Sequence, residues 1–353
     1  MLEIKPITEE RLQRLAENRR KINALAKKYD LTFNTKTSLF DCEHDIRIDE
    51  NLTDTVGRLK IKFGVVKGEF NCTDSNLTSL KGAPQEVGGS FDCSGCGITS
   101  LEGAPQKVGG SFDCSNCGIT SLEGAPQEVG GSFDCSGSGL TSLKGAPQKV
   151  GGSFDCSDCG LTSLEGAPQK VGGSFDCSGC GLTSLKGAPQ KVGGSFDCRN
   201  CHGLTSLNGA PQKVRGSFYC DNCDALTTLE GAPQKVKDSF ACGGCNGLTT
   251  LKGAPQEVYN FLCIGCQELI SLEGAPQTVK GCFNCSCCDS LTSLKGAPQV
   301  VAGDFICIDS NGLTSLKGAP QTVGRNFDCS GCDNLKTHKG APKTVRGRVY
   351  SDK

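Results

Sequence analysis

Twenty-six cysteines punctuate this chain of 353 residues, and most stand in pairs of the form Cys-x-x-Cys, as in Cys93/Cys96, Cys114/Cys117, Cys156/Cys159 and Cys177/Cys180. Two thiols at that spacing can close a disulfide, supply half of a zinc or iron-sulfur site, or stay reduced as small buried groups with a weak donor. The pattern separates these chemistries. The first Cys recurs in thirteen places, from Cys72 to Cys329, whereas the second is Cys in ten and Ser in three, at Ser75, Ser138 and Ser310. An obligatory disulfide or metal site would leave Cys72, Cys135 and Cys307 without partners. A Cys/Ser alternation instead suits a small side chain that hydrogen-bonds nearby backbone. We read the pairs as structural thiol columns, reduced and buried, with no metal and no cofactor. A metal-binding Cys-rich solenoid is the alternative, since two stacked pairs offer four thiolates. Cys282 and Cys287 fall outside both columns and are expected to be the exposed, reactive thiols.

The thiols keep step with a tandem unit of 21 or 22 residues, present in thirteen copies from about residue 66 to 345. It reads Val-Gly-Gly-Ser-Phe-Asp-Cys-Ser-x-Cys-Gly-Leu-Thr-Ser-Leu-(Lys/Glu)-Gly-Ala-Pro-Gln-(Lys/Glu), and a fixed period of that size means a solenoid whose coils stack. In Phe91-Asp92-Cys93 the alternation of side chains puts Phe91 and Cys93 on one side of a short strand. Parallel strands of three to five residues are expected there, about thirteen of them in one continuous sheet. Thirteen of the fourteen prolines, from Pro84 to Pro342, belong to Gly-Ala-Pro. Proline donates to no ladder, so that arc must be extended or a turn and not a helix interior. After Phe196 the period is mostly 22, because a residue enters between the second Cys and the Leu, as in Cys201-His202-Gly203-Leu204; insertions at one place imply a loop there. A single coil buries too little to offset the ordering of its own backbone, so the array depends on neighbours and on its two caps.

Phe91 to Ile98, read as Phe-x-Cys-x-x-Cys-x-Ile, follows the Leu-x-Leu-x-x-(Asn/Cys)-x-Leu pattern of leucine-rich repeats. The remainder, Leu-Thr-Ser-Leu followed by Gly-Ala-Pro, resembles the short bacterial leucine-rich repeat of secreted effectors that bind host proteins. Near-identical cysteine-rich repeats of this kind also look like those of bacterial and tailed-phage proteins. The resemblance covers about residues 66 to 345. It implies a mainly β leucine-rich-repeat solenoid, a right-handed superhelix with parallel strands on the concave face and a Pro-containing extended convex arc. It implies binding of proteins as a class, without naming one.

Different segments flank the array. Residues 1–30 read as a basic amphipathic helix with a possible cap at Thr8, whose apolar stripe of Leu12, Leu15, Ile22, Ala26 and Tyr29 is expected to lie over the open end of the first coil. Residues 31–65 alternate like short strands and suit an adaptor. Residues 346–353 form a C-terminal tail.

Charge is nearly balanced, with 37 basic and 38 acidic residues, so no net field selects nucleic acid or an anionic membrane. No apolar run is long enough to span a bilayer, and the N-terminus lacks a secretory signal. The expected location is the reducing cytoplasm, or an assembly made there. Val-Gly-Gly-Ser lacks the Lys-Ser/Thr of a phosphate loop, and His44, His202 and His338 are scattered, so neither an enzyme nor a small-molecule substrate is expected. On the outward strand positions stand Asp92, Asp113, Asp134, Asp155, Asp176 and Asp197, then Tyr219, Ala241, Leu262, Asn284 and Ile306. This column is the candidate binding stripe for a protein partner, or for an assembly such as a virion or appendage, with Tyr219, Leu262 and Ile306 as apolar anchors. The competing reading is a solvated face produced by copying one repeat. Lys81, Glu102, Glu123 and Lys144, on the convex side, mix signs and suit a solubilising face.

Overall fold

The turn residues of the repeat dictate its path. The computed structural model describes residues 8–352. In Leu101-Glu102-Gly103-Ala104 the Ala104 N–H donates to the Leu101 carbonyl at 3.0 Å and Gly103 has φ +94°, a β-turn that needs glycine at its third position. A Cβ on Gly103 would also stand 2.7 Å from the Leu80 oxygen of the preceding coil. The same bond recurs in every copy from Ala83 to Ala341. Between the two cysteine positions a second turn places one residue at positive φ, filled by Asp74, Gly95, Asn116, Asp158 and their equivalents, types that tolerate left-handed backbone, with Cys287 at φ +58° the exception. In the 22-residue coils the extra residue builds a further turn, Leu204 N–H to Cys201 O at 3.0 Å, where the loop was expected.

Two extended stretches run between these turns. Phe and the residue after it form two-residue strands, lengthened to three at Ser239–Ala241 and Asn260–Leu262. All pair in parallel in a 15-stranded sheet that runs from Ile46–Arg47 to Val349–Tyr350. These strands are shorter than expected because the left-handed turn takes over at Cys. A second ladder was not expected at all. It forms where a charged residue and Val precede the glycines, from Glu86–Val87 to Lys213–Val214, and it joins Phe63–Val66 and the hairpin Thr32–Asn34/Leu39–Cys42 in a ten-stranded sheet. A four-stranded piece resumes from Thr278–Val279 to Thr344–Val345. Across the gap the ladder is reduced to isolated bridges, Val214 to Val236 and Lys235 to Glu257, with single backbone bonds such as Tyr259 N–H to Asp238 O at 3.0 Å and Gly281 N–H to Tyr259 O at 2.6 Å. The coils at the gap carry Lys237-Asp238 in place of Gly-Gly and, one residue shorter, Tyr259-Asn260 in place of Gly-Gly-Ser, with Asn260 in register with Ser239. In the regular coils the first glycine lets neighbours touch backbone to backbone, since a methyl group on Gly109 would overlap the Gly88 carbonyl oxygen, while Arg215, Lys280, Ala302 and Arg346 hold that position in later coils.

Inward side chains make one continuous core. Phe70 to Phe327 stand in file with ring centroids 5.1 to 5.6 Å apart and mostly near-parallel planes, flanked by columns of Leu, Val, Ala and Cys that solvent scarcely reaches. The chain is thus a mainly β parallel solenoid of about 15 turns, cysteine-rich and built on a repeat of about 21 residues, with one helix at its N-terminal end.

That helix, α1, spans Glu9–Lys28, with Glu9 and Glu10 in its first turn and Lys27 and Lys28 in its last, the arrangement its dipole favours. Its docking corrects the expectation. Ala26 is buried and Leu25, Tyr29 and Leu31 pack on the core, while Tyr29 donates its hydroxyl to Asp49 at 2.7 Å. Leu12 and Leu15 remain 53% and 54% exposed, so the apolar stripe does not lie over the first coil; only its last turn docks. The hairpin ends the ten-stranded sheet instead, with the Phe33 and Phe40 rings 5.1 Å apart. Thr8 occupies the N-cap in extended conformation without a side-chain capping bond.

Candidate interaction faces and thiol columns

Every one of the 26 cysteines is free; all are buried except Cys282 and Cys287, which are partly exposed. First-column sulfurs reach forward to the next coil, Cys93 Sγ donating to Asp113 O at 3.3 Å, Cys114 to Asp134 O at 3.3 Å, Cys156 to Asp176 O at 3.2 Å and Cys177 to Asp197 O at 3.1 Å. Second-column sulfurs reach back, Cys96 to Cys72 O at 2.8 Å, Cys117 to Cys93 O at 3.1 Å, Cys159 to Cys135 O at 3.5 Å and Cys180 to Cys156 O at 3.3 Å. Ser310 Oγ makes the equivalent bond to Cys285 O at 3.1 Å. The two columns therefore tie each coil to both neighbours.

Burial pushes the Cys93, Cys114, Cys156 and Cys177 thiols far above the usual range, and Cys180 up to about 11. Protonated thiols are poor nucleophiles and poor metal ligands; Cys96 and Cys117 shift the other way, lowered by hydrogen bonds from Cys72 and Cys93, Cys96 to about 6. Among the described residues no three His, Cys, Asp or Glu side chains gather as a metal site would require. Cys287 is reachable but not activated, since burial and then the carboxylates of Asp309 and Asp289 raise it. Cys282 faces a carboxylate too, with Sγ 3.6 Å from Asp304 Oδ2.

Asp92, Asp113, Asp134, Asp155 and Asp176 are half-buried, and each accepts two hydrogen bonds within its own turn. Asp92 Oδ1 takes the Ser94 N–H at 3.0 Å and the Ser94 hydroxyl at 2.7 Å; Ser115, Ser136, Ser157 and Ser178 serve the next four in the same way. Such Asx turns give the column a local structural job that reasoning from its outward position missed. The recurring Asp-x-Ser was the signal. Burial raises Asp113 and Asp155 above the ordinary carboxylate range; the Ser bonds oppose this, and neighbouring carboxylates in the file add to it. Asn71 and Asn284 accept the same backbone bond, at 3.2 and 3.0 Å, so the turn does not need the charge.

Asp197 departs from the file. It is only 7% exposed, held 2.6 Å from Arg199, whose guanidinium lies 5.1 Å over the Tyr219 ring. The accessible acidic file thus stops at Asp176, and Tyr219 is partly covered. Beyond this joint Leu262 and Ile306 stand partly exposed in the column, whereas Ala241 is buried.

Two further columns fix neighbouring faces. Each Ser before the Phe accepts from the next, as Ser132 N–H to Ser111 Oγ at 3.0 Å and Ser153 N–H to Ser132 Oγ at 3.0 Å. Lys and Glu after the second Leu pair between coils, Lys81 with Glu102 at 3.5 Å, Lys144 with Glu123 at 3.1 Å, Lys186 with Glu165 at 2.7 Å and Lys295 with Glu273 at 2.7 Å. Comparison with family models, curated proteins and solved structures finds no match to the chain.

Proposed function

We propose that this chain is a non-enzymatic repeat scaffold whose outward column on the Phe sheet binds a protein partner. One observation carries the reading. Inward positions keep the same residue types along the array, whereas the outward column passes from a file of carboxylates, through the Asp197–Arg199–Tyr219 joint, to Leu262 and Ile306. A charged half steers encounter and an apolar half anchors it. Buried reduced thiols support work in a reducing compartment, and the likeness of the repeat to bacterial and phage repeats supports such a source. A stacked core of about 15 coils, or about 70 Å at the spacing of parallel strands, supports a second reading as a rigid member of a larger assembly such as a virion.

The test is affinity capture with mass spectrometry, comparing the unaltered chain with Asp113→Asn/Asp134→Asn/Asp155→Asn and with Leu262→Ala/Ile306→Ala. The Asn variant keeps the turn acceptors and removes only charge. A partner of this face should associate more slowly with the first variant, most clearly at low salt, and dissociate faster from the second. A captured protein indifferent to both would leave the column as a by-product of repeat duplication.

A further inference from the structure

Lysines dominate the second ladder where it is most regular. Its outward position carries Lys149, Lys170, Lys191 and Lys213 on successive strands, Lys170 in register with Lys191 and Lys191 with Lys213. Like charges directly opposed across strands repel; the Asp file of the Phe sheet bears this with its carboxylates bound in Asx turns, and elsewhere on this ladder opposite signs pair. Lys107 pairs with Glu86 at 3.8 Å, Lys149 with Glu128 at 2.6 Å and Lys235 with Glu257 at 2.8 Å. Lys170, Lys191 and Lys213 have no ion-pair partner among the described residues, nor has Arg215, which stands where other coils have the first glycine.

These cations line an open groove of about 1120 Å3 that follows the ladder from Lys107 to Arg215, with six basic side chains and one carboxylate, Glu128, on its surface. Its floor is backbone. The glycines carry no side chain, and their N–H groups are already used by the neighbouring coil, as Gly151 N–H by Val129 O at 3.0 Å and Gly152 N–H by Gly131 O at 2.7 Å. The groove therefore offers a smooth track whose recognition groups are cationic side chains. No aromatic ring lines it, so it lacks the stacking platform that single-stranded nucleic acid uses. Spanning six coils, it is about 24 Å long, which an extended peptide of about seven residues would fill.

We propose that this lysine groove docks an extended acidic polypeptide segment, carboxylates against Lys170, Lys191, Lys213 and Arg215. The proposal deepens the scaffold reading by naming the chemistry of a partner segment on a second face, and rests on that reading. Its test is separate. Fluorescence anisotropy of a labelled oligoglutamate with the full chain should show saturable binding that weakens as salt rises. Lys170→Gln/Lys191→Gln/Lys213→Gln should weaken it about tenfold. Lys144→Gln/Lys186→Gln/Lys295→Gln, which removes the same charge from the paired column, should leave it within about twofold. Equal loss in the two variants would reduce the effect to net charge and overturn the groove. Displacement of the oligoglutamate by an equally charged oligouridylate at lower concentration would overturn the acidic-polypeptide assignment in favour of nucleic acid. Neither failure touches partners captured through the Asp column, whose variants lie on the other sheet.

Discussion

Cys96 reaches the Cys72 carbonyl at 2.8 Å, a bond that oxygen also makes from this column, as Ser310 does to Cys285 O at 3.1 Å. Cys93 reaches Asp113 O at 3.3 Å from a site of 0% exposure beside the Phe file. Oxygen sits closer to Cβ than sulfur does, so a hydroxyl at Cys93 would stretch its bond and leave a void in a close-packed layer. Cys93→Ser should therefore cost about 1 to 3 kcal/mol, and Cys96→Ser less than about 1 kcal/mol, as measured by chemical denaturation. Equal costs would remove the distinction between the columns. That distinction was legible in the sequence because three coils carry Ser at the second position and none at the first. The directions of the bonds, forward from one column and back from the other, were not, since they depend on which carbonyls stacking brings alongside.

Along one element, the Asp file sets hydrogen bonding against charge. Burial places the folded-state values of Asp113 and Asp155 above the ordinary one of 3.8, so their stabilising contribution is full below that value and is lost as pH rises through the raised one. At neutral pH the ionised pair weakens the fold. Asp113→Asn/Asp155→Asn, which keeps the acceptors as Asn71 and Asn284 do, should raise the melting temperature at pH 7 by a few degrees. The gain should fade as pH drops into the carboxylate range. A gain independent of pH would mean that packing and not ionisation was responsible. The file itself was readable from the period of the repeat, and so were the Phe strands and the turn at Gly-Ala-Pro. The second ladder was not, because a two-residue strand before Gly-Gly has no alternation to detect. The docking of α1 by its last turn alone was equally hidden, since Leu12 and Leu15 carry the same helical spacing as Ala26 and Tyr29.

At the scale of the whole rod, stability is a sum of coils and of interfaces between neighbours, so the weakest interface decides where the array parts. The Phe sheet is unbroken from Ile46 to Tyr350, but the second ladder is reduced to isolated bridges between Val214 and Thr278. The cause lies in the residues between Val and Phe. The first coil at the seam carries Lys237-Asp238 in place of both glycines, and the next is one residue short, Tyr259-Asn260 standing where other coils have Gly-Gly-Ser, with Asn260 in register with Ser239. The Phe strands there lengthen to three residues, which offsets part of the loss on the opposite side. A one-sided seam should open before the rest. Hydrogen exchange read by mass spectrometry should show the amides around Val236 and Val258 exchanging faster than those around Val150 and Val171. Restoring Gly-Gly-Ser in both coils, by Lys237→Gly and Asp238→Gly in the first and by Tyr259→Gly and Asn260→Gly with one Ser inserted before Phe261 in the second, should rejoin the ladder. Each regained bond is worth about 0.5 to 1.5 kcal/mol, so exchange at the seam should slow by roughly threefold to tenfold. Uniform exchange along the unaltered array would show that the Phe sheet alone carries the coupling between coils, and the glycine pairs would then matter for close approach but not for cooperativity.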